Sequence, residues 1–120
     1  MRAGAVLAAC LLLTPGLGEA HAFLVKSAPG RGARLARPPQ RVELTFNERL
    51  EPAYSTVAVW DGWGARVDRR DGTVLGDDPR RLGVSLPALG PGSYTVRFRV
   101  LSVDGHVVES DFAFTVTGER

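Results

Sequence analysis

Alternation of apolar and polar residues is the dominant signal in this chain. Arg41–Asn47 places Val42, Leu44 and Phe46 on one face and Glu43 and Thr45 on the other, the period-two pattern of a half-buried strand. Ser55–Trp60 is a second run of this kind, closed by Asp61-Gly62, a dipeptide that favours hairpin turns. Leu82–Leu86 alternates again, and Leu89-Gly90-Pro91-Gly92 turns the chain. Ser93–Leu101 sets Tyr94, Val96, Phe98 and Val100 on one face. After Asp104-Gly105, Val107–Thr117 does the same with Phe112, Phe114 and Val116. Shorter strands are expected at Ala22–Val25 and as a hairpin of Ala65–Val67 with Thr73–Leu75 around Asp71-Gly72. Gly76-Asp77-Asp78-Pro79 reads as a further turn. Arg31–Gln40, with Pro38-Pro39, reads as an extended connection unsuited to helix. No stretch carries helical periodicity. About seven short strands at this turn spacing define an all-β domain, an immunoglobulin-like Greek-key β-sandwich or barrel.

The first twenty residues depart from the pattern. Arg2 precedes an apolar run, Ala5–Leu13, that ends at Pro15-Gly16, the layout of a secretory signal peptide. The run is too short to cross a bilayer, which needs about 20 residues. Residues 1–20 are therefore expected to be a signal peptide, and residues 21–120 one exported domain with the periplasm as its location. Two cleavage frames compete. Cutting after Ala20 makes His21 the new N-terminus; cutting after Ala22 discards it. Leu7-Ala8-Ala9-Cys10 offers a third, lipoprotein-like frame, but the apolar run continues past the cysteine. Because Cys10 and Met1 both lie in the leader, the exported domain has no disulfide, no thiolate and no thioether. The formal charge of +2 is small and its basic residues are scattered, so nucleic acid is not an expected partner. Arg31, Arg34, Arg37 and Arg41 form the one loose basic cluster and read as a solvated face. With no second apolar segment, no membrane span is expected, and the domain is expected to be a monomer.

The candidate chemistry rests on the only two histidines, His21 and His106. An N-terminal histidine is itself a chelate, because its α-amine and ring Nδ1 close a six-membered ring on a metal. A second imidazole at His106 supplies a third nitrogen, and nitrogen-rich tetragonal sites suit Cu(II) above other first-row divalent ions. Asp104 and His106 stand two apart, which puts both side chains on one face of an extended segment. A carboxylate there can join the imidazole as a ligand or orient it from behind. Taken alone, Asp104-Gly105-His106 is a surface hairpin turn, and His21 is an accident of the leader junction; the copper reading fails only if both are so. Glu48 ends an alternating strand, where acidic residues are commonly solvated. Asp61, Asp68, Asp71, Asp77 and Asp78 read as turn formers, without the spaced loop that calcium needs. Trp60 and Trp63 flank Asp61-Gly62, with packing as the plain reading and a sugar- or partner-binding aromatic pair as the alternative. Nitrogen donors must lose their protons to bind metal, so copper affinity is expected to fall below about pH 6.

Here the chain resembles the CopC (PcoC/YobA-like) copper-resistance domain family. The resemblance rests on His21-Ala22-Phe23-Leu24 after a leader, Ser27-Ala28-Pro29, Leu44-Thr45-Phe46-Asn47-Glu48, Tyr94-Thr95-Val96, Ser102-Val103-Asp104-Gly105-His106 and Phe112-Ala113-Phe114-Thr115-Val116, in that order. It implies an immunoglobulin-like β-barrel that binds Cu(II) through the amine and imidazole of His21 and the imidazole of His106. Asp104 is then a ligand or close neighbour, and Glu48 a weaker axial or outer group. Asn47 departs mildly from the serine that relatives carry there. The larger departure is the missing methionine-rich loop, so one Cu(II) per chain and no Cu(I) methionine site are expected. The family also suggests delivery to a CopD-type inner-membrane copper importer, with plain sequestration as the alternative. Two rivals stand beside this non-enzymatic reading. One is a copper-brace oxidase of the lytic polysaccharide monooxygenase type, for which about 100 residues leave little room. The other is a metal-free interaction sandwich whose histidines are incidental.

Overall fold

A computed structural model of the chain describes residues 23–118. The proposed signal peptide and His21 lie outside the described residues. The runs that alternate are the strands: β1 (Leu24–Ala28), β2 (Arg34–Leu35), β3 (Arg41–Phe46), β4 (Thr56–Asp61), β5 (Thr73–Leu75), β6 (Asp78–Ser85), β7 (Gly92–Leu101) and β8 (Val107–Val116). One sheet has the order β1-β3-β6-β5 and the other β2-β8-β7-β4. Apart from a short turn of 3-10 helix at Pro52–Tyr54, the described residues are strand and loop, an all-β sandwich as the alternation requires.

Side chains of period two from both sheets meet in the middle. Val42, Leu44 and Phe46 of β3 face Val96, Phe98 and Val100 of β7 and Phe112, Phe114 and Val116 of β8, all buried. Phe46 packs edge-on to Phe98 at 5.3 Å between centroids, a geometry that sets a ring's positive edge on its neighbour's negative face. Tyr94 stacks on Phe114 at 5.5 Å, and its hydroxyl donates to the Gly90 carbonyl at 2.7 Å, so the polar tip of a buried ring is satisfied.

Two expectations need correction. Ala65–Val67 and Thr73–Leu75 do not form a hairpin with each other. β5 pairs instead with β6 through the tight turn Gly76-Asp77, so Asp78 and Pro79 belong to the strand rather than the turn. Residues 65–67 lie along the free edge of β4, where Val67 N–H donates to the Val59 carbonyl and Trp60 bridges Arg66. Asp68 anchors this segment, and its side chain is fully buried. One oxygen accepts from Val59 N–H at 2.8 Å and from the Arg66 guanidinium at 2.8 Å; the other accepts from Arg70 N–H at 2.8 Å and from Arg66 again. Burial pushes this carboxyl up, but the hydrogen bonds from Arg66, Val59 and Arg70 outweigh it and hold Asp68 below the usual carboxylate range.

The sandwich has two distinct ends. β7 and β8 pair from Gly92↔Val116 to Leu101↔Val107. The Leu101–Val107 end, where Leu50 bridges Ser102 and donates its N–H to the Pro79 carbonyl, carries the turn with both residues of the Asp-His pair.

Candidate metal centre

The turn between β7 and β8 is built by Ser102. Its N–H donates to the His106 carbonyl at 3.0 Å, and its carbonyl accepts from Gly105 N–H at 2.9 Å. Gly105 has φ of 93°, in the left-handed region where a side chain would be strained. The Ser102 side chain is buried, and its hydroxyl donates to Oδ1 of Asp104. The same Oδ1 lies 3.2 Å from Nδ1 of His106. Asp104 is therefore held below the usual carboxylate range, first by the Ser102 hydroxyl and then, against a smaller opposing cost of burial, by His106.

This geometry assigns the two ring nitrogens. Nδ1 of His106 is buried against the carboxylate, while the side chain as a whole is 41% exposed. The outward nitrogen is Nε2. A carboxylate behind one imidazole nitrogen fixes the ring and its tautomer and raises the basicity of the other, the arrangement found behind metal-bound histidines.

Neighbouring segments are tied to this turn through their backbones. Val103 N–H donates to the Arg49 carbonyl at 2.9 Å, Glu51 N–H donates to the Leu101 carbonyl at 2.8 Å, and Leu50 bridges Ser102. Residues 48–51 therefore run alongside the turn. One residue earlier, Asn47 clamps the start of the described chain: its Oδ1 accepts from Phe23 N–H at 2.7 Å, and its own N–H donates to the Phe23 carbonyl at 3.1 Å. Phe23, Glu48, Asp104 and His106 are thus gathered at one end of the molecule.

Of the residues singled out in the sequence, Asp104 and His106 are brought into contact. Glu48 stands half-buried on the adjoining segment, and its side chain makes no hydrogen bond or ion pair among the described residues. His21 lies outside them. Among the described residues no group of three His, Cys, Asp or Glu side chains is spaced to hold a metal. Sequence reasoning missed Ser102 and Asn47. Ser102 stands inside the Ser102–His106 stretch, but nothing in that stretch says that its hydroxyl is buried against Asp104. For Asn47 no local signal exists, because its partner is twenty-four residues away.

Fold and site together define a small β-sandwich that offers a braced imidazole at one pole. Residues 24–117 match the model of the CopC domain, and the chain belongs to the CopC family. It is 42% identical to CopC from Methylosinus trichosporium OB3b, whose crystal structure superposes with a TM-score of 0.75 over 81% of this chain and 94% of that one. Copper resistance protein C of Pseudomonas syringae pv. tomato is 30% identical over 111 residues, covering 88% of this chain and 87% of that protein. The copper transport protein CutJ of Bacillus subtilis is 32% identical over 107 residues, or 88% of this chain; the chain spans only 20% of CutJ's length. Among the described residues no helix is long and apolar enough to cross a membrane.

Proposed function

We propose that this chain is an exported, periplasmic copper-binding protein that holds one Cu(II) at the pole carrying His106. The observation that carries the reading is convergence. Phe23 is pinned to Asn47, Glu48 follows it, and the next residue is bonded to the turn of Asp104 and His106. His21 is two residues before Phe23, and two trans peptide units span at most about 7.6 Å between Cα atoms. Cleavage after Ala20 would free an amine and an imidazole on the segment that enters the end carrying His106. Three nitrogens with carboxylate support and no sulfur suit Cu(II) and not Cu(I). In this reading Asp104 orients His106 through Nδ1, and Glu48 is an outer oxygen donor.

The copper resistance and copper transport names of its relatives support copper as the cargo. CutJ carries a similar stretch as one fifth of a longer copper transport protein. That supports delivery to a CopD-type inner-membrane importer, beside sequestration. The reading is non-enzymatic: copper is held and passed on, not used.

Equilibrium titration with Cu(II) against a competing chelator tests it on the processed protein, its His106→Ala variant and its Asp104→Asn variant. One equivalent bound by the parent and a loss of at least about tenfold in affinity with His106→Ala is the expected result. Equal binding by parent and His106→Ala would leave the metal-free interaction sandwich as the better reading.

A further inference from the structure

The pole opposite the metal turn is as distinctive as the turn itself. It is formed by the Arg41 end of β3, the Ser85 end of β6, the Asp61 end of β4 and the Gly92–Val116 pair of β7 and β8. Arg34 pairs in register with Thr115, Arg37 follows just beyond it, and Arg69 N–H donates to the Ser85 carbonyl. Arg34, Arg37, Arg69 and Arg70 are all exposed, and among the described residues none of the four has an ion pair. Five other guanidinium groups are matched, Arg41 and Arg81 with Glu43, Arg66 with Asp68, Arg97 with Asp111 and Arg99 with Glu109, while Arg49 and Arg80, toward the metal end, are exposed without an ion pair among the described residues. Arg31 lies slightly further up, over the ring of Phe112 at 5.9 Å.

Besides the buried Asp68, Asp61 and Asp71 share the pole among the described residues, and both are engaged by backbone. Asp71 accepts from Ser85 N–H at 2.8 Å, and Oδ1 of Asp61 accepts from the N–H groups of Trp63 and Ala65, each at 2.9 Å. Among the described residues neither makes a hydrogen bond or ion pair to those four arginine side chains.

Trp63 stands on the same pole and is 95% exposed, the most exposed large apolar side chain described. It is not on a loose loop. Asp61 caps the turn, Asp61 N–H donates to the Ala65 carbonyl at 2.8 Å, and Gly64 closes it at φ of 85°. Packing, the plain reading of this tryptophan, is therefore wrong for Trp63. Arg70 shows the same deliberate presentation: it is the only non-glycine described with positive φ, at 61°, and its N–H is held by the buried Asp68. A strained residue kept in place by a buried carboxylate is a pointer to function rather than accident.

We propose that this pole is a docking face for an anionic phospholipid surface. The arginines meet headgroup phosphates, which the planar guanidinium fork recognises. Trp63 enters the headgroup layer, where an amphipathic indole is favoured. Charge chooses the end: the opposite pole also exposes Phe23, Tyr54 and Val103, but there Glu48, Glu51, Asp77, Asp78 and Asp104 outnumber Lys26, Arg49 and Arg80, and an anionic surface is repelled. Docked this way, the ten residues of β7 hold the metal turn about 30 Å from the lipid, facing away from it. The inference is independent of the metal reading.

Co-sedimentation with vesicles tests it, using phosphatidylcholine alone and phosphatidylcholine mixed with phosphatidylglycerol, with tryptophan emission recorded in parallel. We expect at least roughly tenfold stronger binding to the anionic vesicles, weakening as salt is raised. A blue shift should accompany it and vanish in Trp63→Ala, which retains Trp60. The triple variant Arg34→Gln/Arg37→Gln/Arg69→Gln should bind at least roughly tenfold more weakly. Its melting temperature and Cu(II) titration should match the parent, which keeps folding apart from docking. Equal binding to neutral vesicles, or undiminished binding by the triple variant, would overturn the proposal. So would competition by inorganic phosphate at constant ionic strength without any blue shift, which would indicate a free-phosphate site.

Discussion

His106 owes its usefulness to Asp104, and Asp104 to Ser102. The serine hydroxyl and the imidazole share one carboxylate oxygen, so the ring is aimed before any metal arrives. Pre-aiming of this sort is worth about 10–100-fold in metal affinity when a carboxylate behind a histidine is lost. Asp104→Asn is accordingly expected to weaken Cu(II) binding by about that factor, because an amide can present its nitrogen to Nδ1 and scramble the tautomer. Competition titration checks this, with a thermal melt to show that the fold is intact. Ser102→Ala should weaken binding less and in the same direction, since it removes only one of the two bonds that hold the carboxylate. The spacing of Asp104 and His106 made their contact legible in the sequence. The contact is made across a glycine turn rather than along an extended strand, so the reason for it differs from the expected one. Which ring nitrogen faces outward was not legible, because that depends on a buried hydroxyl two residues before the aspartate.

Among the elements, the strands that alternate over five or more residues were readable, and β3, β4, β7 and β8 fall within a residue or so of where the pattern puts them. Among the short strands, Thr73–Leu75 was readable as a strand but its pairing was not. β5 has three residues, and nothing in Thr73–Leu75 says whether its partner is the segment before it or after it. A buried side chain contributes: Asp68 accepts the Val59 N–H that a paired strand would have engaged along β4. Asp68→Ala would leave the Val59 and Arg70 N–H groups and the Arg66 guanidinium without their acceptor, and is expected to cost about 3–5 kcal/mol. Chemical denaturation measures it. Acid should have a related effect on the parent. The folded Asp68 carboxyl sits below its unfolded value, so its stabilisation is present above about pH 4 and is lost as the pH falls through the folded value. Glu43, lowered chiefly by its hydrogen bond to Arg81, works in the same direction and the same window. The melting temperature should therefore drop more between pH 7 and pH 3 in the parent than in Asp68→Asn, whose amide does not titrate.

Across the whole molecule, the interior is continuous from one pole to the other, and Phe46 joins its two sheets at the metal end. Phe46→Ala is expected to destabilise the fold by about 3–5 kcal/mol and to loosen the Asn47 clamp beside it, lowering copper affinity as well as the melting temperature. Asn47→Ala should lower affinity, because the Phe23 N–H would lose the side-chain oxygen that holds it, and copper titration checks this. The account as a whole turns on where the exported chain begins, since His21 contributes an amine only as a first residue. Intact mass of the protein processed by a bacterial host, read together with its Cu(II) stoichiometry, is the most direct measurement. A mass that starts at His21 and one tightly bound Cu(II), lost with His106→Ala, is the result this account predicts. A mass that starts at Phe23, or copper bound no better than by the alanine variant, would contradict it.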